Sequence, residues 1–209
     1  MSFRIPLTVS AVLAILSSGS ADAQIPREWA QCIGREERVP EVVIRGCSAI
    51  IEAGQEEPRK MATAFNNRGV AHRLEGDYDA ALADYNEALR LNPTSASAYN
   101  NRGIIFRVKH DYDRAIADYD HAIALNRDYP AAFYNRALAY TDKQYYDRAT
   151  ADFDLVLQFN PNNALARYAR GLMFLKKGET DAGNRDIAAA KDIDPTVPQQ
   201  YDASQRAPK

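Results

Sequence analysis

This chain of 209 residues has little of what usually announces chemistry. Its three histidines, His72, His110 and His121, have no cluster spacing, so neither a catalytic base with its partners nor a metal site is indicated. No G-x-S-x-G, H-E-x-x-H or phosphate-cradling glycine loop occurs. The Asp-Tyr-Asp triplets at 77–79, 111–113 and 118–120 lack the alternating oxygens and the glycine of a calcium loop. A net charge of −2 offers no overall attraction for nucleic acid or an anionic membrane, whose binders usually carry a basic patch. The apolar stretch at 7–16 falls short of the roughly 20 residues needed to cross a bilayer. The chain therefore reads as non-enzymatic, with no cofactor, no metal, no nucleic acid and no stable membrane anchor.

Arg4, that apolar stretch and the small residues Ala21-Asp22-Ala23 have the layout of a secretory signal peptide at 1–23, cleaved after Ala23. An exported protein, periplasmic or secreted, is expected. That address gives meaning to the only two cysteines, Cys32 and Cys47, which lie 15 positions apart. In an oxidising compartment two such thiols form a structural disulfide. Free buried thiols and a redox pair are the alternatives, although a redox pair would more typically be C-x-x-C. A loop of this size is worth about 3 kcal/mol in chain-entropy terms.

Rows of residues that return every 34 positions dominate the rest. Gly69, Gly103, Ala137 and Gly171 form one row, Ala81, Ala115, Ala149 and Gly183 a second, Tyr85, Tyr119, Phe153 and Ile187 a third. A fixed period of this length means stacked supersecondary units. In the first unit a helix A is predicted over 62–74 and a helix B over 78–91. Gly76 between them suits the left-handed residue that ends a helix, and Asp77 caps the next. Asn92-Pro93, Asn160-Pro161 and Asp194-Pro195 set stops between units, while Arg127 stands where the second unit lacks its proline. Gly69 is expected to meet Ala81 where the helices cross, and rings fill the splayed ends. Neither hairpin buries its aromatic surface alone; only stacking covers it.

These rows, together with Asn67-Arg68-Gly69, Gly76-Asp77-Tyr78-Asp79 and Asp84-Tyr85, resemble the tetratricopeptide repeat family, in the form seen in bacterial proteins. The resemblance implies an all-α fold, a right-handed superhelical solenoid of antiparallel helix pairs. Four repeats are expected at about 62–95, 96–129, 130–163 and 164–197. The fourth, with Arg167, Thr180 and Gly183 at anchor positions, looks like a terminal cap. Residues 24–61 read as a degenerate helical cap stapled by Cys32 and Cys47, with short helices at 29–34 and 41–53. Residues 198–209 read as a flexible tail.

The resemblance further implies that a protein or peptide ligand is held on the concave face of the helix A series. Here that groove would be lined by Asn66, Val70, Arg73, Asn100, Ile104, Arg107, Tyr134, Leu138, Tyr168 and Leu172. The drift from amide and guanidinium to tyrosine and leucine suits a peptide with an acidic or polar end and an apolar end. Members that clamp an acidic C-terminus use lysines and asparagines where this chain has Val70, Ile104 and Ala131. The alternative for Tyr134, Tyr168 and the leucines is that they pack under a tail helix.

Two charged rows remain: Arg68, Arg102, Arg136 and Arg170 in helix A, and Asp84, Asp118, Asp152 and Asp186 in helix B. They are either solvated charge or a paired ladder between the two helices. The function expected is a non-enzymatic interaction scaffold; the alternative is a self-assembling structural homo-oligomer.

Overall fold

A computed structural model describes residues 25–34 and 39–205, so the expected leader at 1–23 lies outside the described residues. Eleven α-helices and no strand occur among them. α1 (Arg27–Cys32) and α2 (Pro40–Ala53) form the cap. Four antiparallel hairpins follow: α3 (Pro58–Glu75) with α4 (Tyr78–Leu91), α5 (Ala96–Val108) with α6 (Tyr112–Leu125), α7 (Pro130–Asp142) with α8 (Tyr146–Phe159), and α9 (Ala164–Lys176) with α10 (Thr180–Ile193).

Successive odd helices from α1 to α7 touch one another, and no comparable contact joins the even ones. The stack therefore curves with the odd helices on its inside, and their outward-turned sides line a concave face.

Local chemistry accounts for the boundaries. Asp77 and Asp111 accept hydrogen bonds from Ala80 N and Arg114 N at 3.0 and 3.2 Å, capping α4 and α6. Gly76 (φ 84°) and Gly178 (φ 82°) occupy left-handed turns, and His110 and Gln144 adopt the same turn at φ 60°. α3 begins four residues before the repeat does, because Pro58 suits the first helical position, where its missing N–H costs nothing. The second unit stops at Asn126 without a proline, and Pro130 starts α7 instead.

The core runs along the seams. Tyr85, Tyr119 and Phe153 are fully buried. Two of the rings press on the glycine row: a Cβ on Gly69 would meet the Tyr85 ring at 2.8 Å, and one on Gly103 the Tyr119 ring at 2.7 Å. The glycine makes room for the ring, with which Ala81 shares a core cluster. In the fourth unit, where Ile187 replaces the ring, the two backbones themselves approach at this level, with a Gly183 Cβ 2.8 Å from Gly171 O.

In the cap, Cys32 and Cys47 are disulfide-bonded with Cα atoms 4.6 Å apart. Cys32, Cys47, Ile50 and Ala64 form a small core with Trp29, Val43 and Ile51. Trp29 Nε1 donates to Glu56 Oε1 at 2.5 Å and ties α1 to the loop before α3.

The largest departure from expectation is at the other end. Instead of a flexible tail from residue 198, the chain forms α11 (Val197–Gln205), with Val197 fully buried and Tyr201 7% exposed. A fifth inner helix would lie against α10 as α9 lies against α8. α11 instead leans mainly on α9, folding back onto the concave face.

Candidate functional site

The charged rows come together behind the concave face. Arg68 Nε and Nη2 donate to the two Asp84 oxygens at 2.9 and 2.7 Å. Arg102 meets Asp118 at 2.8 and 2.8 Å, Arg136 meets Asp152 at 2.8 and 2.7 Å, and Arg170 meets Asp186 at 2.6 and 2.9 Å. These aspartates are 4 to 8% exposed.

Sequence reasoning missed the third partner. Each Nη1 reaches back to the preceding unit's even helix: Ser48 Oγ at 3.0 Å, Asn86 Oδ1 at 2.9 Å, and Asp120 and Asp154 Oδ1 at 2.6 Å. The signal was present, since Asn86, Asp120 and Asp154 recur at the same period two residues beyond the aspartates. Each guanidinium thus joins two units. Aromatic rings on its own helix flank it, as Tyr99 and Phe106 flank Arg102 at 5.6 and 5.7 Å. The bonds to Asp118 hold the Arg102 guanidinium above its ordinary range against the opposing effect of burial. Burial works to lower Arg136, and its bonds to Asp152 and Asp120 outweigh that.

A second ladder runs along the concave side. Asn67 Nδ2 donates to Cys32 O at 3.3 Å, Asn101 Nδ2 to Asn66 Oδ1 at 3.0 Å, and Asn135 Nδ2 to Asn100 Oδ1 at 2.9 Å. It links α1, α3, α5 and α7 and then stops, because Ala169 stands where the next asparagine would be. This row too was legible as the first residue of each Asn-Arg-Gly or Asn-Arg-Ala triplet.

The expected groove residues divide at this point. In the first half, Asn66, Val70, Arg73, Ile104 and Arg107 are all half-buried. Arg107 Nε pairs with Asp142 Oδ2 of the next unit at 2.6 Å. The residue that stands to Arg73 as Asp142 stands to Arg107 is Val108, and Arg73 has no carboxylate partner among the described residues. It reaches the buried Tyr85 phenol, which burial raises well above its usual range while the charge of Arg73 and its hydrogen bond oppose that shift. Ahead of Val70 lies a cavity of about 290 Å³, lined by Ile33, Pro40, Val43, Asn67, Val70 and Leu74 among others.

Two of the expected residues are not available to a ligand. Asn100 is 4% exposed and occupied by Asn135, and Leu138 is buried in the core cluster that also holds Tyr201 of α11. In the second half the surface is covered. Tyr168 packs edge-on against Tyr201 of α11 with ring centroids 5.6 Å apart, and Tyr134, Leu165 and Leu172 pack against the same cluster. Burial pushes the Tyr201 phenol up to about 12, and the fields of Tyr134, Arg107, Asp142 and Tyr168 all reach it.

Among the described residues no group of three or more His, Cys, Asp or Glu could hold a metal ion, and no helix is long and apolar enough to cross a membrane.

Family models described as tetratricopeptide repeat match residues 62–95, 96–129 and 130–163. No curated protein matches the chain. Among solved structures, one described as MamA is 22% identical and covers 77% of this chain and 91% of its own, with a TM-score of 0.66. Residues 41 to the end of MamA from Desulfovibrio magneticus RS-1 are 20% identical, covering 86% and 94%, with a TM-score of 0.62. The first tetratricopeptide domain of Spaghetti (RPAP3), solved with the HSP90 peptide SRMEEVD, is 25% identical over 57% of this chain and 95% of its own, with a TM-score of 0.56. The fold is a tetratricopeptide solenoid, three of whose repeats the family models match; α9 and α10 form a fourth pair with the same Arg–Asp seam.

Proposed function

We propose that this chain is an exported, non-enzymatic scaffold that holds a protein or peptide segment on the uncovered first half of its concave face. The tetratricopeptide fold supports a protein–protein interaction scaffold, and the RPAP3 domain was solved with an acidic peptide.

Arg73 carries the reading. The guanidinium of Arg107, one unit on, is already matched by Asp142, whereas Arg73 stands half-buried without a carboxylate. A ligand carboxylate supplies what is missing, and a charge-assisted, two-bonded contact is the strong kind. Val70 stands three residues before it on the same helix and lines a cavity toward Ile33 and Val43 that suits an apolar side chain. The segment expected is therefore acidic at one end and aliphatic at the other. Because Val70, Ile104 and Ala131 stand where an acidic-terminus clamp has polar groups, the match is to a side-chain or terminal carboxylate on Arg73 alone.

The test is an array of peptides differing only in an acidic residue and its amide counterpart, scored for binding to residues 24–209. Acidic members should bind, and Arg73→Ala should weaken them at least tenfold, as losing a hydrogen bond to a charged group implies. Arg90→Ala, an exposed control paired with Glu87, should change nothing. Indifference to Arg73→Ala ends this reading. The exported address is checked separately: the secreted protein should begin at Gln24.

A second reading, self-assembly, is favoured by one observation. Leu125, Phe159 and Ile193 lie at equivalent ends of α6, α8 and α10 and are 42 to 44% exposed, forming an apolar row along one edge. Sedimentation that shows a monomer at all concentrations removes it.

A further inference from the structure

The covered half of the concave face is built differently from the open half, and the change coincides with α11. Where Asn66 and Asn100 accept from the asparagine ladder, the next two units carry Tyr134 and Tyr168, and the ladder has no rung between α7 and α9. Onto this surface α11 places a single stripe. Val197 and Tyr201, four residues apart, are buried, while Gln199, Gln200, Asp202 and Ala203 face away exposed. Tyr201 meets Tyr168 edge-on and joins the cluster of Tyr134, Leu165 and Leu172.

A helix of nine residues is too short to persist by itself in water, so its existence depends on this contact. Only residues 194–196 connect it to α10. Asp194 organises that connection by accepting from Thr196 N at 2.8 Å, Thr196 Oγ1 at 2.7 Å and Gln200 Nε2 at 2.7 Å. A short tether of this kind holds its segment at high effective concentration over the surface, which makes a two-residue contact sufficient.

We propose that α11 is a displaceable occupant of the groove, standing in for a partner's amphipathic helix that presents an aliphatic and a phenol side chain four residues apart. The proposal extends the groove reading: release of α11 joins the tyrosine-lined half to the half around Arg73 and lengthens the surface a partner can use. It needs no acidic group on the ligand, so it stands or falls apart from the pairing proposed for Arg73.

The probe is a fluorescein-labelled peptide of residues 194–209, titrated by anisotropy into full-length mature protein. The wild-type chain, its surface already occupied, should bind the peptide weakly. Tyr201→Ala, which weakens the resident helix and leaves the surface intact, should bind it at least tenfold more tightly. Adding Tyr168→Ala should abolish that gain. A Tyr201→Ala chain that binds no better than wild type overturns the proposal. Hydrogen exchange on the unaltered chain guards against a variant that fails to fold: α11 amides should exchange at least tenfold faster than those of α9. Equal protection would make α11 a fixed part of the core and overturn the proposal. So would a wild-type dimer exchanging α11 between two copies, since the occupant would then be the chain itself.

Discussion

The first two repeats and the last two share one architecture and present different concave faces. Behind both, an arginine is forked onto an aspartate of its own unit and reaches back to the unit before it, from Arg68 to Arg170. In front, the first half carries the asparagine ladder and Arg73 without a carboxylate, whereas the second carries Tyr134 and Tyr168 under α11. The difference shows what each pattern is for. A residue that recurs in every unit does the same mechanical job each time and holds the stack together. A residue that stops recurring marks where the chain meets something other than its own next repeat.

The sharpest way to break that comparison is to cut the seam once in each half. Removing one partner of a buried, hydrogen-bonded pair leaves an uncompensated charge and costs about 3–5 kcal/mol. An exposed pair gives well under about 1 kcal/mol. Urea unfolding of Arg102→Met, Asp118→Asn and the double variant, repeated with Arg170→Met and Asp186→Asn, measures the coupling directly. Large single losses and clear coupling are expected in both cycles. Asp186 belongs to the last unit, so a cycle near zero there alone would confine the seam to the interior of the stack.

The two ends are capped by different means, which sets the next effect. The N-terminal cap relies on a small core around Cys32 and Cys47, and α1 crosses α2 so closely that a Cβ on Gly46 would lie 2.6 Å from Gln31 Cβ. Replacing both cysteines with alanine should cost about 3 kcal/mol. Thermal melts of the oxidised and reduced protein are the measurement. Because α1 lines the cavity ahead of Val70, reduction should also loosen the open half while α11 stays docked.

Alkaline titration should act on the covered half instead. Burial raises the folded pKa of Tyr201 to about 12, above the ordinary 10. The stability this carries is complete below pH 10 and is lost as pH rises toward 12, because undocking lets the phenol ionise. At 1.36 kcal/mol per unit the loss is at most about 3 kcal/mol. Exchange of α11 should quicken over that window before the solenoid melts. Tyr85 and Tyr119 are raised further by burial and should hold the stack to higher pH. Simultaneous loss of α11 and the stack would erase the distinction between the halves.

Much of this was legible in the sequence because it repeats. The 34-residue rows give the helix pairs, and the constant offset of 16 from Arg68 to Asp84 gives the seam. Spacing along a helix does not say how far a neighbouring ring reaches into the space a glycine leaves: at Gly69 the Tyr85 ring comes within 2.8 Å of where a Cβ would stand. Asn100 was assigned to the groove by its position on the helix face, but Asn135 of the next unit takes its carbonyl, an inter-unit contact that no single repeat reveals. α11 was harder still. A stretch with Pro198, three glutamines and only Val197 and Tyr201 as sizeable apolar groups has no helical signal of its own; the surface beneath it supplies the reason to fold.

The smallest effect expected lies at the turns between paired helices, and it separates the ends of the stack from its middle. The outer units use glycine for the left-handed turn residue, Gly76 and Gly178, while the two central units use His110 and Gln144 at φ 60°. A side chain in this conformation costs about 1–2 kcal/mol relative to a right-handed helix. Glycine removes that strain but frees the unfolded chain, which returns roughly half of the gain. Gln144→Gly should therefore stabilise by up to about 1 kcal/mol, raising Tm by roughly 2–4 °C for a chain of this size. His110→Gly should gain less, because the His110 ring bonds the Tyr112 hydroxyl at 2.8 Å and that contact is lost. Gly76→Ala should move the other way by a similar amount. A destabilised Gln144→Gly would mean that its side chain, and not the turn alone, holds α7 to α8.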